Sequence, residues 1–249
     1  MAGGARTLWQ LWSFATGCAA LAQPVMLPNG ASIRIRQHFF EEPVRQPRSS
    51  LQGRADRTGL KSWPTAMPLL EFAVERCQSR PHMRVLELGS GCGKLGLGFA
   101  AAVPDAHVLL TDPDLPTMFD DESQEPSSTL EWLRGNVALN TQTLGERVEA
   151  AALLWGDDAH ADAILQEPRW SGGFDLILGS DLLYNPDVYV DLLDTLQTFT
   201  SVKTCPVILG YPARVNEARF LQLAAARYVV ETRALPLKGA SVSVLTPRE

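Results

Sequence analysis

At 249 residues and a net charge of −6, the chain has room for one large α/β domain with a substantial core and is short for two. Its 45% hydrophobic and 20% charged residues are ordinary globular composition, and the acidic balance excludes a general basic face for nucleic acid, leaving only local basic patches open. The four cysteines, Cys18, Cys77, Cys92 and Cys205, lack metal or disulfide spacing, which predicts no metal site and suits a reducing compartment.

In chain order, residues 1–27 read as an N-terminal extension. Leu8 to Ala22 is apolar and rich in small residues, and the first forty residues hold no Asp or Glu. That outline suits a targeting segment, an unstructured tail, or a helix with Leu8, Leu11, Trp12, Ala15 and Ala19 on one face. It is too short and too polar to span a bilayer. The main domain is expected over 28–249. Ile33 and Ile35 alternate with Arg34 and Arg36, which predicts an edge strand or hairpin. Pro43 to Gly59 is polar and turn-rich and reads as a loop. A helix follows at about Thr65 to Gln78, with Pro64 at its first turn and Met67, Leu70 and Val74 on the buried face.

The stretch that organises the rest runs from Arg84 to Asp112. A short apolar strand, Val85 to Leu88, carries one acid, Glu87, and turns through Gly89-Ser90-Gly91-Cys92-Gly93. A helix from Lys94 to Val103 and a strand from His107 to Thr111 follow, and the strand ends in Asp112. Strand, glycine turn, helix, strand and acid make half of a nucleotide-binding unit. The glycines admit a ligand to bare backbone, the helix N-terminus supplies N–H groups, and Asp112 is placed to accept from ribose hydroxyls. Two cofactors fit the pattern. Gly91-Cys92-Gly93-Lys94-Leu95-Gly96 is a formal nicotinamide fingerprint with an acid about twenty residues on. Glu87-x-Gly89-x-Gly91-x-Gly93 resembles instead the first motif of S-adenosylmethionine (SAM) methyltransferases. An acid in a buried strand is costly unless it binds something, and the amino group of methionine is a fitting partner for Glu87. A Walker reading fails on Leu95 and on spacing.

Pro113 to Ser128 carries Asp114, Asp120, Asp121, Glu122 and Glu125 and reads as a solvated acidic insertion rather than a metal site. A helix is expected at Leu130 to Asn140 and a third strand at Arg147 to Leu154. Trp155, at that strand's end, suits either an adenine ring or the core. The fourth strand, Phe174 to Gly179, ends in Ser180-Asp181-Leu182-Leu183-Tyr184. In an open parallel sheet, ligands bind beyond the carboxyl ends of strands, so Asp181 and Tyr184 should face the crevice of the glycine turn. A helix from Asp187 buries Val188, Leu192, Leu196 and Phe199. Pro206 to Tyr211 is the fifth strand, and a helix from Asn216 to Arg227 buries Phe220, Leu221 and Ala224. Tyr228 to Leu235 and Ala240 to Thr246 form a closing hairpin.

From Ile33 onward the chain resembles the seven-β-strand SAM-dependent protein methyltransferases of the lysine methyltransferase-like group. The likeness is carried by Gly59-Leu60-Lys61-Ser62-Trp63-Pro64, Glu87 to Gly93, Thr111-Asp112, Asn136 to Asn140 and Leu154-Trp155-Gly156-Asp157. Gly179 to Tyr184, with its Asp-x-x-Tyr, and Gly210-Tyr211-Pro212-Ala213-Arg214 complete it. The resemblance implies a Rossmann-like α/β sheet of seven strands, mostly parallel with an antiparallel C-terminal hairpin and helices on both faces. It implies that Trp63, the turn residues Gly89, Ser90, Gly91 and Gly93, and Asp112, Trp155 and Ser180 line a SAM pocket. Asp181 and Tyr184 would border the methyl-transfer channel. The expected activity is transfer to a lysine of a non-histone protein by a cytoplasmic monomer without nucleic-acid or membrane partners, a nuclear or organellar address remaining open. Arginine, histidine or a small molecule is the alternative acceptor, and a nicotinamide oxidoreductase or an inactive binder the alternative function. The acidic insertion and the N-terminal extension depart from the group's pattern.

Overall fold

In the computed structural model, which describes residues 22–37, 58–77, 80–116, 128–213 and 216–248, the first described elements are a hairpin of β1 (Ala22–Met26) and β2 (Ser32–Arg36). Alternation in Ser-Ile-Arg-Ile-Arg buries Ile33 and Ile35 and turns the charged side chains outward. The pair is a two-stranded sheet of its own, and it starts at Ala22, inside the stretch assigned by sequence to the N-terminal extension. The rest of that extension, most of the loop at 43–59 and the acidic residues of 117–127 lie outside the described residues. Thr58–Leu60, expected as loop's end, is a 3-10 turn. Pro116 and Ser128 pair as an isolated antiparallel bridge across the base of the insertion.

Helix α1 (Ala66–Cys77) buries Leu69, Leu70, Ala73 and Cys77. Met67 and Val74 are only partly buried, so the buried face is rotated from the expected one. Then come β3 (Arg84–Leu88), α2 (Lys94–Ala102), β4 (His107–Asp112), α3 (Thr129–Leu139), the single turn α4 (Thr141–Leu144) and β5 (Val148–Ala152). Ser128 caps α3 by accepting from the Glu131 amide at 3.2 Å, in the Ser-x-x-Glu spacing that marks a helix start. The second half comprises α5 (Asp158–Gln166), β6 (Leu176–Ser180), α6 (Tyr189–Val202), β7 (Val207–Pro212), α7 (Glu217–Ala224), β8 (Tyr228–Ala234) and β9 (Ala240–Pro247). In α7 Phe220 and Ala224 are buried while Leu221 is half-buried.

The seven long-range strands form one sheet in the order β5-β4-β3-β6-β7-β9-β8. Pairings from β5 through β7 are parallel, and β9 lies antiparallel to both β7 and β8. Alternate side chains of the strands separate two apolar layers. Val85, Val108, Leu110 and Leu178 pack with α1, α2, α3 and the hairpin on one face. Leu86, Leu109, Ile177 and Leu209 pack with α5, α6 and α7 on the other, where Trp170 stacks on Phe174 and Phe174 meets Phe199 edge-on. Strands buried on both faces need nearly continuous apolar sequence, which is what Val85 to Leu88 and Leu176 to Leu178 supply. The chain enters the sheet at β3, moves outward through β4 to β5, then crosses back to β6. The crevice at that reversal, beyond the carboxyl ends of β3 and β6, is where such sheets bind ligands.

Candidate active site

β3 ends at Leu88 and the chain turns back at once into α2. Gly91 makes this possible: its φ is +51°, and a Cβ there would sit 3.0 Å from the carbonyl oxygen of Gly59. The turn and the end of β3 are latched to β4 by four contacts. Ser90 N donates to Thr111 O at 2.8 Å, Thr111 N to Ser90 Oγ at 3.1 Å, and Thr111 Oγ1 to Glu87 O at 2.7 Å. The fourth contact is the Gly91 amide, which donates to Asp112 Oδ2 at 2.7 Å. A second wall, Thr58 to Trp63, closes over the turn. Its Gly59 carbonyl accepts from Cys92 Sγ at 3.4 Å, Trp63 Nε1 donates to Thr58 O at 3.2 Å, and Ser62 N donates to Gln37 Oε1 at 3.2 Å at the end of the hairpin.

These walls and the ends of β5 and β6 enclose a cleft of about 330 Å³. It brings together ten of the eleven residues expected there: Trp63, Glu87, Gly89, Ser90, Gly91, Asp112, Trp155, Ser180, Asp181 and Tyr184. Gly93 does not line it. The absent side chain at Gly93 faces Leu133, Leu110 and Leu97, so this glycine serves core packing against α3. Glu87 lies at the cleft's floor, buried, and its Oε2 accepts from the Gly96 amide at 2.9 Å. Removal from water pushes its carboxyl from an ordinary 4.5 up to about 8, with donors Ser90 and Gly96 working the other way. Burial therefore favours the protonated carboxyl near neutral pH, which a sequence motif does not reveal.

Asp181 begins the segment after β6 with φ +62°, a left-handed conformation that few residues other than glycine and Asn/Asp tolerate. Its amide donates to Gly210 O at 2.8 Å on the adjacent strand. Thr65 Oγ1 donates to one carboxyl oxygen at 3.1 Å and Ser180 Oγ to the other at 2.8 Å. The carboxyl is thus held in one orientation, and strained backbone of this kind gathers at functional sites.

Sequence reasoning missed several cleft residues. Lys61 and Ser62 lie within the Gly59 to Pro64 stretch but carry no chemistry-bearing spacing. Lys94 stands where the glycine pattern ends. Asp187 comes in from the 3-10 turn Pro186–Val188 and Asp191 from the first turn of α6. Two wall atoms, Trp155 Nε1 and Ser62 Oγ, are buried with no hydrogen-bond partner among the described residues. Buried donors of this type call for a partner, and a ligand in the cleft supplies one. Two tryptophans, orphaned donors, an acid at the end of β4 and close backbone approach at Gly59 and Gly91 fit a nucleoside joined to an amino acid, as in SAM. Among the described residues no group of three or more His, Cys, Asp or Glu is arranged to hold a metal, and no helix is long and apolar enough to cross a membrane.

A family model described as lysine methyltransferase matches residues 50–227. Protein-lysine N-methyltransferase EFM3 of Chaetomium thermophilum is 31% identical over 150 residues, covering 59% of this chain and 40% of that protein. Protein N-lysine methyltransferase METTL21A of Danio rerio is 31% identical over 170 residues, covering 68% of each. The chain thus spans about two fifths of the length of the first of these relatives and two thirds of the second. Among solved structures, a predicted O-methyltransferase from Agrobacterium tumefaciens superposes with a TM-score of 0.53 at 16% identity, over 74% of this chain and 81% of that one, a likeness of fold.

Proposed function

We propose that this chain, which belongs to the lysine methyltransferase family, is a SAM-dependent protein-lysine N-methyltransferase acting on a non-histone protein in the cytoplasm. Family and fold imply SAM as methyl donor. The observation that carries the reading is the joining, in one cleft, of the glycine turn and Asp112 with Asp181 and Tyr184. A cofactor half and an acceptor half share one wall-bounded volume.

SAM, when bound, supplies a methyl group on a positively charged sulfur. The protein's task is then to position an acceptor and exclude water. The backbone at Gly89 to Gly91 and the carboxyl of Asp112 hold the nucleoside end, and Trp155 and Ser62 offer their orphaned donors. A lysine amine, with an ordinary pKa near ~10.4, is protonated at neutral pH and cannot act as a nucleophile. Entry beside the half-buried Tyr184 strips water from the ammonium and lowers that pKa. Asp181, fixed by Thr65 and Ser180, orients the amine and directs its proton toward water at the cleft mouth.

The test is transfer of labelled methyl from SAM into proteins of a cell lysate, with residue-level mapping. Asp181→Asn should keep the affinity for S-adenosylhomocysteine while turnover falls by about two orders of magnitude, because the interaction matters chiefly in the transition state. Full turnover in that variant reduces Asp181 to a support for the strand end. Label on arginine or histidine retains the transferase and discards lysine as the acceptor. Stabilisation against heat by a nicotinamide nucleotide, rather than by S-adenosylhomocysteine, removes the proposal altogether.

A further inference from the structure

The cleft has a lysine of its own. Lys61 belongs to the Thr58 to Trp63 wall and is among the residues that line the same cleft as Asp181 and Tyr184, and its Nζ stands 5.5 Å from the centroid of the Trp63 ring. Its backbone is not free to carry it away. Lys61 N donates to Thr58 O at 3.5 Å, the next amide is held by Gln37, and Gly59 is held by Cys92. Among the described residues no carboxylate forms an ion pair with Lys61; the pairs recorded are those of His160, Arg169, Lys203, Arg227 and Arg233. An ammonium held against an aromatic face, on a flexible four-carbon stem tethered to the cleft wall, is in the situation of an acceptor lysine.

We infer that Lys61 is a methyl acceptor in its own chain, a self-methylation site that rests on the lysine methyltransferase reading above. The Lys61 ammonium first releases a proton to water. Its nitrogen lone pair then forms the N–C bond to the donor methyl as the C–S bond breaks, its electron pair passing to sulfur. The products are an Nε-methylated Lys61, a neutral thioether and one proton, so charge and atoms balance. Tethering replaces the encounter with a separate substrate, and the effective concentration of the amine stays the same when the protein is diluted. Methylation keeps the positive charge, and the Trp63 face retains a methylated ammonium well.

Two measurements on the full chain decide it. The first reads position rather than activity: amine acylation is followed residue by residue by mass spectrometry with and without S-adenosylhomocysteine. Lys61 loses reactivity as the product fills the cleft, while the exposed Lys238 does not; equal reactivity of Lys61 in both states places its amine outside the cleft and overturns the inference. The second incubates the purified protein with methyl-labelled SAM and no other protein. Label is expected on the peptide bearing Lys61, at a first-order rate unchanged by ~10-fold dilution, and Lys61→Arg removes it while the melting midpoint stays at the parental value. A rate that falls with dilution overturns transfer within one chain. Labelled lysate proteins beside an unlabelled Lys61 overturn self-methylation and leave the methyltransferase reading intact. No label on any protein, despite binding of S-adenosylhomocysteine, overturns both.

Discussion

The buried acid at the floor of the cleft makes a quantitative demand on stability. Glu87 is fully enclosed, and burial is the largest influence on its carboxyl, taking it from 4.5 to about 8. The folded chain holds a proton that the unfolded chain has already released across that interval. Stability from this group is therefore fully present below about pH 4.5, declines as pH rises, and reaches its floor above about pH 8. At 1.36 kcal/mol per pH unit, the gap sets a ceiling of ~5 kcal/mol. Glu87→Gln removes the titration while leaving an amide oxygen to accept from Gly96 N. The assay is urea unfolding of both proteins at pH 5, 7 and 8.5, read as the difference between them, in which the other titrating groups cancel. The variant should gain on the parent by under ~1 kcal/mol at pH 5, about 3 at pH 7 and 4–5 at pH 8.5, apart from a constant offset. A difference that does not change with pH would refute the buried, protonated Glu87.

Two further outcomes follow from the site and its supports. Asp112→Ala should weaken S-adenosylhomocysteine by ~1.5–3 kcal/mol, the value of a hydrogen bond to a charged group, as read by calorimetry; unchanged affinity would confine Asp112 to holding the Gly91 amide. Asn136 is wholly buried, accepts from Arg36 N at 2.8 Å and donates to Arg36 O and Cys92 O, so Asn136→Ala should cost ~2–3 kcal/mol in urea unfolding by stranding those groups. A cost below ~0.5 kcal/mol, within the usual scatter for surface changes, would mean that the hairpin and the glycine turn do not depend on that amide.

Much of this fold was legible because its strongest signals are local. Glycine spacing, the acid ending β4 and the apolar runs of β3 and β6 each follow from short-range backbone chemistry. The closing hairpin was equally plain, with turn residues between two alternating segments. Features set by tertiary packing were not. The buried face of α1 is decided by what lies beneath it: Leu69 and Ala73 meet the sheet where periodicity alone favours Met67 and Val74. β1 contains Pro24 and Gln23 and has no alternation to announce it; it exists because β2 offers a partner. Gly93 shares the motif of Gly91 but faces Leu133, a distinction that only the position of α3 makes. The upward shift of the Glu87 carboxyl and the place of Lys61 in the cleft wall are likewise consequences of tertiary packing, to which no residue spacing points.

The strand order has a consequence for the making of the protein. β9 follows β8 in sequence yet lies between β7 and β8 in space. During synthesis β7 and β8 emerge first and cannot pair with each other in the final arrangement. Until residue 247 has left the ribosome, the edge of β7, with Val207, Ile208 and Leu209 beside it, has no neighbour on that side. Chains elongate at about 5–20 residues per second, so stalling between Leu235 and Ala240 would hold an apolar parallel sheet open along its hydrogen-bonding edge. Such an edge is a template for other strands. Ribosome-bound chains halted there should need chaperone cover that chains carrying β9 and already released from the ribosome do not.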